Sequence, residues 1–309
     1  MIKRIFKWIL RVLVVLLLGI LIYGTIKQAS YDSKVEDEFQ PTGKFSDIGE
    51  NKIHYKYLDK GEFTFVLIAG LGVPMQTWST LATDLNERGR VFMYDRSGLG
   101  FSEEGISPRS IDNVSIELNT VLSNENIPGP YILIGHSAGG FIARYYAKKY
   151  PKDVLGLYLI DPYQGDVGYD NNEPDEWPLT FKMMNWSFRN MSWSGIPYYL
   201  LPNPPHPTYK TSKAIKTYGL ETYAEKISIE QFHKFDKIGT ETPLYLLSAD
   251  NSKDEFNDRN TELQREIFKK YSSPISKFIL IESGHYIHLE KPEIVLKSLD
   301  EFITELNAN

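Results

Sequence analysis

The chain has 309 residues, 42% of them hydrophobic and 24% charged, which suits one large globular domain with an appendage. It contains no cysteine, which excludes disulfides, thiolate metal ligands, a cysteine nucleophile and lipid attachment through sulfur. Residues 1–30 hold five cations and no acid, so the rest carries −11 against a net −6 overall, an acidic body that argues against a nucleic-acid partner.

The five cations are Lys3, Arg4, Lys7, Arg11 and Lys27. Residues 8–26 are apolar apart from Arg11 and Thr25, a run about long enough to cross a ~30 Å hydrocarbon core. Arg11 sits near its start, where a long side chain can snorkel to the interface. Positive charge before the run predicts a cytoplasmic N-terminus and an exported body. A cleaved signal peptide is the competing reading, because residues 12–23 alone would serve as its apolar core. No small-residue cleavage pair follows, so an uncleaved anchor over 1–30 is preferred. Residues 31–42 are polar and acidic and read as a linker.

From residue 43 the chain alternates short β-rich runs with helical patterns. The strands are predicted at 44–49, 52–59, 63–70, 90–95, 131–136, 155–161, 243–248 and 277–282. The first two, separated by Glu50 and Asn51, suit a hairpin. The third, fifth, sixth and eighth are nearly continuous apolar runs, as expected of strands buried on both faces. Residues 75–87, 110–125, 138–150 and 257–271 fit a 3.6-residue repeat, with Ser110 as an N-cap. A last helix starts at Pro292 and runs to about Leu306. This predicts an α/β fold: an eight-stranded, mostly parallel sheet with helices on both faces, formed by 43–161 and 243–309.

Residues 162–242 break the rhythm. They are rich in aromatics, including Trp177, Trp186, Trp193, Tyr198 and Tyr199, and prolines 202, 204, 205 and 207 interrupt them. So long a stretch is not a bare loop, and a helical cap inserted between strands six and seven is expected. Most of its aromatics would pack the cap onto the body, and a minority would line a pocket.

The chemistry concentrates at Gly135-His136-Ser137-Ala138-Gly139, where an apolar strand meets an amphipathic helix. In that context G-x-S-x-G is a nucleophile turn: the glycines relieve crowding, and the helix N-terminus offers N–H groups to developing negative charge. No lysine follows as a phosphate-binding loop would need. Ser137 requires a base. Of six histidines, His285 lies after the last strand, whose loop should pass over the nucleophile strand; His288 is the fallback. His136 adjoins the serine, and its ring is expected to point elsewhere. Two acids fit a Ser…Asp…His order: Asp161, ending strand six, and Asp250, following strand seven, with Asp254 later. Leu71, in Ala69-Gly70-Leu71-Gly72, and Ala138 are the candidate oxyanion N–H donors.

With these residues in place the chain resembles the α/β-hydrolase family, in its single-cap branch, over about residues 43–307. The resemblance rests on AGLG (69–72), Trp78, YDRSGLGFS (94–102), Pro108-Arg109, GPYILIGHSAGG (129–140), YP (150–151), LIDP (159–162) and GHYIHLEKP (284–292). It implies acyl transfer to water with no metal or organic cofactor. In relatives sharing the YDRSGLG and GPYILIGHS pattern the acid after strand seven is often missing, which puts Asp161 ahead of Asp250. The first expectation is a membrane-tethered carboxylesterase or lipase-like enzyme acting on a small hydrophobic acyl substrate. The alternatives are a peptidase or amidase, whose sign would be an acidic pocket (from acids such as Glu173, Asp175 and Glu176), and a non-catalytic binding module. A serine nucleophile disfavours dehalogenase and epoxide-hydrolase chemistry, and Ala138 replaces the tryptophan usual in the proline-aminopeptidase branch.

Overall fold

The computed structural model describes residues 1–168, 177–201, 206–234, 242–250 and 255–308. Eight strands form one sheet in the order β1-β2-β4-β3-β5-β6-β7-β8. They are β1 (Lys44–Asp47), β2 (Lys52–Leu58), β3 (Thr64–Ile68), β4 (Arg90–Tyr94), β5 (Tyr131–His136), β6 (Val154–Ile160), β7 (Leu244–Ala249) and β8 (Lys277–Ile281). β1 and β2 form the expected antiparallel hairpin, Lys44 opposite Tyr55, and β2 pairs antiparallel with β4. All other pairings are parallel.

The helices are α1 (Ile2–Glu38), α2 (Ser79–Asn86), α3 (Ile111–Asn124), α4 (Ala138–Lys149), α5 (Gly165–Gly168), α6 (Leu179–Met191), α7 (Ser212–Tyr223), α8 (Glu225–His233), α9 (Glu255–Tyr271), α10 (Ile287–Glu290) and α11 (Pro292–Ala308). Strand residues alternate between the two faces. Val66 and Ile68 join a core with α3, α4, α8 and α9, whereas Phe65 and Leu67 join a second core with α2 and α11. This two-faced burial explains the apolar runs of β3, β5 and β6. β8 departs from the expectation. It is the sheet edge, and of its five residues only Ile281 is buried. β7, whose partner β8 shields it, is buried throughout.

Residues between β6 and β7 fold into α5 to α8 with short 3₁₀ turns, and no strand occurs among the described ones. Glu173, Asp175, Glu176 and Asp254 lie outside the described residues. α6 packs on α7 through Phe188 against Tyr218 and an Asn185 side-chain bond to the Gly219 carbonyl.

The boundary expected between an anchor at 1–30 and a linker at 31–42 falls inside a helix. One helix runs unbroken from Ile2 to Glu38. The polar stretch stays helical because one of its faces docks on the β6–β7 segment. Gln28 Nε2 bonds the Lys210 carbonyl at 3.0 Å, the Tyr31 hydroxyl bonds the Pro207 carbonyl, and Asp32 accepts from the Ser212 N–H and hydroxyl. Val35, one turn on, is buried. α1 is long and apolar enough to cross a membrane, and its apolar stretch is unburied in the structure.

Candidate active site

Four strands deliver the predicted residues to one end of the sheet. Ser137 stands between β5 and α4 with φ +53° and ψ −122°, a conformation rare for a residue with a Cβ. Its neighbours make the turn possible. A Cβ on Gly135 would lie 2.5 Å from the Gly139 carbonyl oxygen, and one on Gly139 would lie 2.0 Å from that of Ile68. The backbone on both sides thus has room only for glycine.

Asp161 follows β6 and also has positive φ, +42°. Its Oδ2 accepts from His285 Nδ1 at 2.6 Å. Its Oδ1 accepts from Gln264 Nε2 at 2.8 Å and the Ala249 N–H at 3.2 Å. The carboxylate is therefore oriented from three sides. Because Nδ1 carries the proton toward Asp161, the lone pair of His285 is left on Nε2. The imidazole is about half exposed, whereas Asp161 is largely covered. Asp250 directly follows β7, and its N–H bonds the Ile281 carbonyl. The carboxylate on His285 is that of Asp161. The Ser137 hydroxyl has no hydrogen-bond partner among the described residues.

Leu71, Ser137 and Ala138 line one cavity of about 150 Å³. Its apolar wall includes Ile111, Val114, Phe141 and Ile142, and its polar wall includes Arg109, Glu221 and Glu225. The N–H groups of Leu71 and Ala138 have no acceptor among the described residues.

Several supporting groups carried no readable signal. The Arg96 guanidinium, almost fully buried, donates to the carbonyls of Ala69 and Gly70 and forms a double contact with Glu221. Glu221 also accepts from the Gly72 N–H at 3.4 Å. A cation from the YDRSGLG stretch and an acid from α7 thus clamp the loop that carries Leu71. Burial pushes the Glu221 carboxyl up, but Arg96, Arg109 and the Gly72 N–H outweigh it and hold the carboxyl below its ordinary range. Gln264, on α9, has no motif to mark it.

The remaining histidines have other places. The His136 ring does not point away: it stacks at 4.6 Å on His285, and its Nε2–H donates to the His285 carbonyl at 2.9 Å. Burial, with His288 and His285 nearby, holds His136 well below the usual imidazole pKa. His288 lies on Trp78 with Nε2 3.2 Å from the Thr77 hydroxyl. Burial and His285 lower its pKa to about 3. It is a buried neutral ring, and its Nε2 faces Thr77. His54 is buried against Asp95, 2.7 Å away, beneath the YDRSGLG loop.

The sequence model for the alpha/beta hydrolase fold matches residues 64–204. The uncharacterized protein YqjL of Bacillus subtilis is 34% identical over 113 residues, 37% of this chain and 45% of that protein. The (Lyso)-N-acylphosphatidylethanolamine lipase of Mus musculus is 32% identical over 108 residues, 34% of this chain and 31% of that one. The chain spans less than half the length of these relatives. Among solved structures, a membrane phospholipase A described as a bacterial virulence factor superposes with a TM-score of 0.58 at 19% identity, covering 98% of this chain and 99% of its own. The strand order and these matches together show the α/β-hydrolase fold, and the chain is similar to that family over residues 64–204.

Proposed function

We propose that the protein is a membrane-tethered serine hydrolase that cleaves a carboxylic ester of a hydrophobic substrate through an acyl-serine intermediate. The observation that carries this reading is the Asp161–His285 contact together with a serine of positive φ that lines a cavity. Ser137 Oγ attacks the ester carbonyl while His285 Nε2 takes its proton. Asp161 stabilises the imidazolium that forms. The N–H groups of Leu71 and Ala138 receive the oxyanion, and loss of one such donor costs about 3 kcal/mol of barrier. His285 then returns the proton to the departing alkoxide, and the C–O bond breaks. Water, deprotonated by the same ring, repeats the attack on the acyl-enzyme. Proton transfer needs Nε2 within about 2.6–3.2 Å of Oγ, a distance that in such sites tightens on substrate binding.

The cavity is smaller than the ~300–1,000 Å³ that holds a drug-sized ligand, which favours a short acyl group at the serine. The lipase among the relatives and the apolar α1 both favour an ester met at a membrane. In this reading 8–26 cross the bilayer, the cationic N-terminus is cytoplasmic, and the helical β6–β7 segment is a cap over an extracytoplasmic enzyme.

A second reading has its own support: Glu221 and Glu225 line the cavity and would suit a substrate amine. Glu221 is already paired with Arg96, and Glu225 accepts from the Tyr163 hydroxyl, which weakens the peptidase reading. The deciding experiment is labelling by a fluorophosphonate, with acyl esters of graded chain length and free-amine peptides as substrates. Native protein should label, Ser137→Ala and His285→Ala should not, and esters should turn over. Turnover of peptides with no ester would sink the esterase reading, and no labelling of folded protein would sink both.

A further inference from the structure

Between residues 179 and 200, seven large apolar residues of the β6–β7 segment face outward. α6 carries Leu179, Met183 and Trp186 at i, i+4 and i+7, one face of a helix whose opposite face packs on α7. They are 71%, 62% and 53% exposed. Trp193, Ile196, Tyr199 and Leu200 continue the surface, with Tyr199 70% exposed. Such a surface in water would be a liability.

Its position relative to α1 says what covers it. The helix crosses this segment backbone to backbone at Gly24 and Gly195: a Cβ on Gly24 would lie 2.1 Å from the Ser194 carbonyl oxygen. Beside that crossing, Ile196, Tyr199 and Leu200 share a groove of about 560 Å³ with Ile20, Tyr23 and Lys27. Ile20 lies six residues inside the end of the apolar run at Ile26, roughly 9 Å at the helical rise of about 1.5 Å per residue. Residues level with Ile20 are thus below the plane where the helix leaves hydrocarbon. Tryptophan and tyrosine are also the side chains that settle at that boundary, and Lys27 sits where lipid phosphates would be.

We propose that the outward face of α6 and the turn at 193–200 are seated in the outer leaflet of the bilayer, with α1 as the rigid post that sets their depth. The partner is a phospholipid surface. The inference rests on α1 spanning the bilayer, and it deepens that reading: the enzyme lies on the membrane through its cap and does not hang from a tether. Seating of about 5–10 Å is usual for interfacial apolar faces.

The absence of native cysteine makes the test direct. Single variants Met183→Cys, Trp186→Cys and Tyr199→Cys of the full chain carry an environment-sensitive fluorophore in phosphatidylcholine liposomes. Leu16→Cys reports the anchor and Glu62→Cys reports water. Quenching is measured with doxyl-labelled lipid and with aqueous iodide, and retained fluorophosphonate labelling shows each variant is folded. Labels at 183, 186 and 199 should behave like that at 16: quenched by doxyl lipid, with iodide quenching lost. If they follow 62 while 16 remains in lipid, the anchor stands and the seat is overturned. If 16 also follows 62, both fall.

Discussion

In the proposed mechanism Ser137, His285 and Asp161 have roles that mutation can separate. Asp161→Asn should keep the fold but present the wrong imidazole tautomer, lowering kcat by about ten-thousand-fold, whereas Asp250→Asn should stay within a few-fold of native. Steady-state hydrolysis of a short-chain ester measures both. His288 supplies a pH prediction. Its folded pKa, about 3, is below its unfolded value, 6.5, so between these the unfolded chain binds more protons. The stability it contributes is complete above pH 6.5 and is lost as pH falls toward 3. At pH 5 the loss is about 2 kcal/mol for such a ring. Urea midpoints in detergent at pH 7 and pH 5 should therefore differ less for His288→Gln than for native protein. The residue types at the serine turn were readable because the turn is local. The environment of His136 was not, since a ring beside Ser137 in sequence meets His285 only through tertiary contact.

In the proposed mechanism the chemistry depends on the β5–α4 turn and the Leu71 loop. Gly139→Ala would push a Cβ against the Ile68 carbonyl and should cost about 1–3 kcal/mol or more, read as a lowered melting temperature with labelling lost. Glu221→Gln would leave Arg96 buried beside a neutral partner. The expected cost is about 3–5 kcal/mol, with slower turnover because the loop bearing Leu71 loses its clamp. A rate fall without loss of stability would contradict that account. Parallel strands buried on two faces were legible from apolar runs. β8 was misjudged on the same signal, because an apolar run does not reveal that a strand has a neighbour on one side only.

Across the whole molecule, the C-terminal part of α1 docks on the β6–β7 segment, over residues that include part of the stretch expected as a linker. A chain beginning at residue 24 should retain the Gln28, Tyr31 and Asp32 contacts and remain as stable as the full chain. One beginning at residue 39 should lose them, melt lower, and open the β6–β7 segment to limited proteolysis. Thermal melts monitored by near-ultraviolet circular dichroism distinguish the two. Local chemistry made the fold class, the serine turn and the apolar N-terminal run readable, because each depends on residues adjacent in sequence or on a short period. Tertiary structure alone decided that Asp161 meets His285, that Arg96 and Glu221 hold the loop bearing Leu71, and that residues 31–38 continue the helix. Each of these depends on groups distant in the chain being brought within a few ångströms, where direction and burial, which no spacing encodes, determine the partner.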